Sequence, residues 1–401
     1  MTRALAIIPV LGLPEVVAGD DLARLLLTAL DGPLQAGDVV VVSSKVVSKS
    51  LGLTAAGDDK TALVLDESVR VVAERSVGDR VTRVVEAAAG PVMAAAGIDA
   101  SNTGPSGALL LLPRDPDACA VALRSALLAQ SGMPSGTPFA VVLSDTAGRP
   151  WRAGLTDFAL GSAGLRVLLD HRGEVDADGR LMSVTARAVA DEVAAAADLV
   201  KGKSDGVAAA VVRGLPDAWF LLPGHEPVAS ADVAAGATTS TDATGAAPVA
   251  SADAAARAAA FADVVGARGL VRTGAGDWFA LGHVEALRAA LGVAPGSSDS
   301  ESVGIRSVGP EPFADRVARV VALTLFEDED ASLDLELSAE GDWPAYGEVV
   351  ASVTLGAADD FALGRLVQRL EVAAASEDLT VTPTGSPTAE HSITAGLSPI
   401  A

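Results

Sequence analysis

Apolar positions in the first half of the chain fall into two alternating patterns. Short continuous runs predict strands at Ala4 to Val10, Val39 to Val42, Phe139 to Leu143 and Ala209 to Val212. The β-branched block Val39 to Val42 is the kind expected of a strand buried on both faces. Helical spacing predicts helices over Asp66 to Ser76, Pro116 to Gln130 and the Ala-rich stretch Thr185 to Val200. Asp20 and Asp21 precede Leu22 to Leu27, placing carboxylates where a helix N-terminus favours them.

The pattern stops at 227–256, which is almost entirely Ala, Ser, Thr, Gly, Val and Asp. Such a composition cannot build a core and reads as a linker. Beyond it, Phe261 to Val265, Val284 to Leu291 and Phe361 to Ala374 have helical spacing, while Arg319 to Phe326 and Glu348 to Leu355 read as strands. The expected organisation is a domain at 1–226, a linker at 227–256, a small accessory α/β-type domain at 257–376, and a disordered Thr/Ser/Pro/Gly-rich tail at 377–401. Because the linker has no core-forming residues, removing 230–401 is expected to leave a folded, active core.

Composition narrows the function. The chain of 401 residues is half apolar with a formal net charge of -23. Residues 227–401 hold 25 acidic residues against 9 arginines, a net of -16. Such acidity argues against nucleic acid, which needs clustered Lys and Arg, and against anionic membrane surfaces. The lone cysteine, Cys119, lies in an apolar run and reads as a core residue; no internal disulfide can form. Pro9 and Gly12 interrupt the first apolar stretch, and no run approaches the ~20 residues of a membrane helix, so a cytoplasmic location is expected. Of 29 basic residues only five are lysines: Lys45, Lys49, Lys60, Lys201 and Lys203. Two tight pairs of compact charges in an Arg-rich chain suit phosphate, although ordinary surface lysines account for the spacing equally well.

Three polar clusters follow apolar runs, where rigid elements can hold them. Ser43-Ser44-Lys45-Val46-Val47-Ser48-Lys49 offers hydroxyls and ammonium groups suited to a polyphosphate, without the glycines of a Walker loop. Ala96-Gly97-Ile98-Asp99-Ala100-Ser101-Asn102 could hold Mg2+ or Mn2+ and a nucleotide, or merely form a cap or Asx turn. Ser144-Asp145-Thr146-Ala147-Gly148-Arg149 combines a metal ligand with a cation for phosphoryl oxygens, or caps the next element. No zinc spacing, nucleophile elbow or dinucleotide glycine pattern competes, and His171, His225, His283 and His391 are scattered.

Taken in order, Gly12-Leu13-Pro14-Glu15, Gly19-Asp20-Asp21-Leu22, Gly37-Asp38-Val39-Val40-Val41, Ser44 to Lys49, Ala96 to Asn102, Ser144 to Arg149, Val189-Ala190-Asp191-Glu192 and Ala210 to Leu215 resemble the coenzyme F420-0:γ-glutamyl ligase family. The match spans residues 3 to about 216. The resemblance implies an α+β fold in a homodimer, and GTP-dependent joining of L-glutamate to F420-0 through an acyl phosphate. It implies GTP as co-substrate, Mg2+ or Mn2+, and K+ as a further ion. Its metal positions fall on Asp99, Asp145 and Thr146. Its GTP contacts fall on Gly12, Leu13, Pro14, Glu15, Ser44, Lys45, Lys49, Asn102 and the loop Lys201, Gly202, Ser204, Asp205, Gly206. Asp145, Arg149 and Lys203 are the expected catalytic groups.

One departure stands out. Lys203 occupies a position where the family carries an acidic or amide ligand, and a protonated Lys has no acceptor for a cation. Either Asp205 fills that role, or Lys203 binds phosphate in place of one metal's charge; the second is the expectation adopted. Bifunctional relatives carry a flavin-dependent reductase-like domain after the ligase. Residues 257–376 show no Arg-rich opening or FMN phosphate site, so flavin is not expected. The competing readings are a GTP-dependent ligase for another carboxylate, and a non-catalytic nucleotide-binding or scaffold protein.

Overall fold

A computed structural model describes residues 4–55, 60–77, 80–101, 108–150, 152–183, 185–203, 205–221, 266–271, 282–307, 311–328, 330–337, 348–388 and 390–400. In chain order the principal elements are β1 (Ala6–Pro9), α1 (Leu22–Ala29), β2 (Asp38–Ser43), α2 (Ser44–Ser50), α3 (Lys60–Asp66), β3 (Ser68–Val77), β4 (Arg80–Ala87), α4 (Pro116–Ser131), β5 (Ala140–Arg149), β6 (Arg152–Ala163), α5 (Val189–Lys201) and β7 (Ala209–Arg213). There follow α6 (His283–Ala290), α7 (Ser298–Val303), α8 (Phe313–Thr324), β8 (Ser332–Leu337), β9 (Ala351–Gly356), α9 (Asp360–Ser376), β10 (Leu379–Pro383) and β11 (Ser392–Pro399). Among the described residues no helix is long and apolar enough to cross a membrane. The expected linker, 227–256, and the expected helix at Phe261 to Val265 lie outside the described residues.

Two compact units share the chain: 1–59, 88–93 and 97–272 form one, and 60–87, 94–96 and 273–401 the other. The first is built on a five-stranded sheet in the order β1–β7–β2–β5–β6, antiparallel except for β2 beside β5. Its central strands obey the period of two. Val40, Val42, Val141 and Leu143 pack with Leu22, Leu26, Leu123 and Leu127 of α1 and α4. Val39, Val41, Ala140 and Val142 pack on the other side with Val189, Val193, Ala194 and Ala197 of α5. That double covering is why the central strands read as unbroken apolar runs.

Local chemistry sets the boundaries. Asp21 caps α1 by accepting from the Arg24 amide at 3.1 Å. Asp115 caps α4, Pro116 opens it, and Gly132 closes it in the left-handed conformation. Gly161 of β6 lies against the Pro116 backbone, where a Cβ would collide. Buried Asp38 receives two hydrogen bonds from the Arg213 guanidinium opposite it, at 2.6 and 2.8 Å. Asp117, whose carboxyl burial pushes up, accepts from the Ser162 and Ala267 amides at 2.8 and 2.7 Å. Residues 266–271 therefore belong to the first unit, not to the accessory domain expected from 257 onward.

The second unit holds an antiparallel sheet in the order β8–β9–β11–β10, with α8 and α9 supplying its core through Phe313, Val317, Val320, Leu363, Leu366 and Leu370. Arg369 of α9 donates to the carbonyls of Thr324 and Phe326 at 2.9 and 2.8 Å, satisfying the C-terminal end of α8. Three expectations are corrected here. The tail at 377–401 contains β10 and β11, and β11 lies between β9 and β10 with Ala395 and Leu397 in the core. Arg319 to Phe326 is helical over most of its length, because its apolar positions continue the face begun by Phe313 and Val317. Asp66 to Ser76 is mainly strand, because the β-branched stretch 69–72 favours extended backbone and Val71 pairs with Val85 in a hairpin with β4, with Val69 and Val72 at register shifts.

The β3–β4 hairpin is the unexpected part of that unit. Glu74 and Arg83 are buried and joined at 3.2 Å. Glu74 also accepts from the Gly296 amide at 3.2 Å and from the Ser300 hydroxyl. Arg83 donates to Glu301 at 2.8 Å, and Glu285 accepts from the Glu74 amide at 2.9 Å and from Arg75. Residues within the expected first domain are thus completed by residues more than two hundred positions later. Removing one side of a buried charge cluster costs about 3–5 kcal/mol. A fragment ending at residue 272 should be cut within 60–87 at protease levels that leave the whole chain intact. Equal resistance of fragment and whole chain would contradict this account and restore the expectation of a self-sufficient N-terminal core.

Candidate functional site

The parallel pairing of β2 with β5 places Ser43 level with Ser144. Both strands end their apolar runs there, so Ser44-Lys45 and Asp145-Thr146 emerge side by side at the carboxyl edge of the sheet, where open sheets of this kind bind ligands. A cavity of about 460 Å3 opens at this edge. Its walls include Leu13, Pro14 and Glu15 before α1, Lys45 and Lys49 from α2, Asp145 and Thr146 from β5, Lys201 at the end of α5, and Gly202, Lys203 and Gly206 after it. Four of the chain's five lysines therefore meet in one cavity, which decides against the reading of scattered surface lysines.

Each cation has a carboxylate or hydroxyl beside it. Lys45 pairs with Asp99 at 2.6 Å and donates to the Ser101 hydroxyl at 3.1 Å. Lys49 pairs with Glu15 at 2.5 Å. Lys203 donates to the Thr146 hydroxyl at 2.5 Å. Lys201 is buried; it pairs with Asp157 at 2.6 Å and donates to the Ser144 hydroxyl at 2.7 Å. Lys201, expected to contact the nucleotide, lines the cavity with its ammonium paired to Asp157.

Electrostatics separates the acidic groups. Burial would raise the Asp99 carboxyl, but Lys45 and Ser101 outweigh it and hold it below its ordinary value. Burial acts on Asp157 likewise and is outweighed by Lys201, Thr146 and Ser144. Asp145 has no cation of its own among these contacts. Burial, then the charges of Asp157 and Asp99, push its carboxyl up to about 6, despite hydrogen bonds from the Thr146 amide and Ser44. A carboxylate raised in this way, with a second one near enough to act on it, fits a hard divalent cation. Among the described residues no three of His, Cys, Asp and Glu form a ready-made cage. The donor set is the sparse kind that leaves coordination positions to water and phosphate.

Not every expected residue reaches the cavity. Arg149 is exposed and donates to the Ala153 carbonyl at 3.3 Å. β5 continues four residues past Asp145 into its hairpin with β6, carrying Arg149 roughly 13 Å along the strand. Gly12, with φ of +74°, turns the chain ahead of Leu13. Ser44 lies buried beneath Asp145, and Asp205 is exposed and outside the cavity wall. Asn102 and Ser204 lie outside the described residues. Asp157 and Asp198 line the cavity but are absent from the expected set. A carboxylate inside the apolar strand Leu155 to Ala163 is the available signal for Asp157.

Comparison with known proteins finds relatives over about half of the chain, and the family match includes Asp99, Asp145, Asp157 and Lys203. A family model described as F420-0:gamma-glutamyl ligase matches residues 56–214. A protein named coenzyme F420:L-glutamate ligase from Halobacterium salinarum is 41% identical over 228 residues, covering 50% of this chain and 84% of the relative. Proteins of the same name from Natronomonas pharaonis and Haloarcula marismortui are 42% and 40% identical over 228 residues, with 83% and 84% of their lengths covered and 50% of this chain.

The raised Asp145 carboxyl carries a stability consequence. An unfolded aspartate ionises near 3.8 and the folded one near 6, so the cost of ionising Asp145 grows between those values and is full above about 6. In chelator-treated protein, Asp145→Asn should therefore raise the melting temperature by about 2–4 °C near neutrality. The gain should disappear by about pH 4. A melting difference independent of pH would show that the carboxylate is not destabilised.

Proposed function

The chain belongs to the coenzyme F420:L-glutamate ligase family, and from that premise we propose that it uses GTP to join L-glutamate to F420-0. The observation that carries this reading is the convergence of Lys45, Lys49, Asp145, Thr146 and Lys203 on one cavity at the ends of two parallel strands. The γ-phosphoryl group of GTP passes to the terminal carboxylate of F420-0, giving an acyl phosphate and GDP. The glutamate amine then attacks that carbonyl, loses a proton, and displaces inorganic phosphate.

Two anions must approach for the first step, and this chain supplies what lowers their repulsion. Lys45 and Lys49 place point charges beside the phosphates, with Asp99 and Glu15 holding the ammonium groups when the cavity is free of anions. Lys203 adds a third charge beside Thr146. Mg2+ or Mn2+, held by Asp145, Asp99 and Thr146, would withdraw charge from the transferring phosphoryl oxygens. Alignment of the reacting carboxylate in a confined cavity can contribute up to ~7–11 kcal/mol. K+ as a further ion and a homodimeric assembly belong to the same reading.

Purified protein given GTP, Mn2+, L-glutamate and F420-0 should release GDP and yield a product heavier by one glutamyl residue in mass spectrometry. Asp145→Asn should lower turnover by at least about 100-fold with folding intact. GDP release without glutamylated F420-0 would move the assignment to another carboxylate acceptor. Absence of any GTP turnover would remove the ligase reading altogether.

A further inference from the structure

In the cavity wall, and almost wholly buried, Asp157 draws three donors to its two oxygens. Thr146 donates its hydroxyl proton to Oδ1 at 2.7 Å. Ser144 and Lys201 donate to Oδ2 at 2.9 and 2.6 Å. Lys201 donates to Ser144 as well, at 2.7 Å, so the Ser144 oxygen accepts on one side and gives its proton on the other. Asp157 and Lys201 are each only 4% exposed. The hairpin register sets Asp157 of β6 directly opposite Thr146 of β5, so the contact follows from strand pairing.

We propose that Asp157 is a positioning residue that turns the Thr146 oxygen into a fixed acceptor facing the cavity. A threonine hydroxyl has one proton to give and lone pairs to receive. Left alone it rotates, and it can donate to a phosphate oxygen or accept from a cation. With its proton given to Asp157, only lone pairs remain on the cavity side. In the structure they receive the Lys203 ammonium. That point of the wall therefore takes a positive group, either the tethered ammonium or a divalent ion, and turns away a bare phosphate oxygen. An acceptor-only carboxylate is required for this, and buried Lys201 supplies the opposite charge that keeps Asp157 in that form.

This inference rests on the proposed function only for what enters the cavity, and its test needs neither GTP nor F420-0. Asp157→Asn keeps the shape but changes one acceptor into a donor. Lys201 has no acceptor, so the new amide N–H must face Thr146, whose proton then turns into the cavity. Mn2+ affinity of the whole chain, read by electron paramagnetic resonance, should fall about tenfold in Asp157→Asn. It should fall by a similar factor in Thr146→Val, stay near the original value in Thr146→Ser, and fall no further in the double variant than in either single one. Losses that multiply in the double variant would assign Asp157 a structural role and overturn the proposal, as would absence of Mn2+ binding by the unsubstituted protein. If Asp157→Asn lowers the melting temperature, the same cycle run with Lys201→Gln removes the unpaired buried charge, and the two losses should again fail to multiply. Coupling without ligation would leave the positioning role standing and the ligase reading fallen.

Discussion

The parallel contact between β2 and β5 governs the rest of the first unit. Parallel neighbours end at the same edge of a sheet, and their register sets Ser43 beside Ser144. The lysines of α2 and the Asp145-Thr146 pair of β5, a hundred residues apart in sequence, are thereby held within one cavity. Antiparallel pairing would have sent them to opposite edges. Both strands are buried on each face, so their position is fixed by core packing as well as by hydrogen bonds.

On that frame the site is a balance of charge more than a concentration of one sign. Cations from α2 and from the turn after α5 face carboxylates from the loop before α1, from Asp99 and from the β5–β6 hairpin. Lys201 and Asp157 neutralise one another below the surface, whereas Asp145 is left against its own kind. Such a cavity holds its charges in place without ligand and leaves one carboxylate whose ionisation an incoming cation would favour. Preorganised charge of this sort does not have to rearrange as the reaction proceeds.

Much of this arrangement was legible from residue order. The apolar runs of β2 and β5 marked the strands that carry the site, and the scarcity of lysine singled out four residues that do converge. Signals tied to one residue type were less informative. Arg149 resembled a catalytic cation because it follows Asp145 closely, but its strand continues and takes it away. Lys201 and Lys203, two positions apart, share composition and not environment: one ends a helix inside the core and the other lies exposed. A carboxylate within an apolar strand marked Asp157 as unusual, but its contact with Thr146 follows from register, which is a property of pairing and not of sequence. In the second unit, Ser- and Thr-rich composition concealed β11, whose alternating Ala395 and Leu397 suffice for one buried face in a sheet covered by helices.

The interlock of Glu74 with Ser300 spans 226 residues. During translation at ~5–20 residues per second, the hairpin would leave the ribosome roughly 10–45 seconds before its partners exist. Throughout that interval a glutamate and an arginine destined for the interior remain in water, favouring an open hairpin over a closed one. The buried charges of the hairpin thus wait for residues 285–301 to be made, and the emergence of that stretch becomes the event that pairs them.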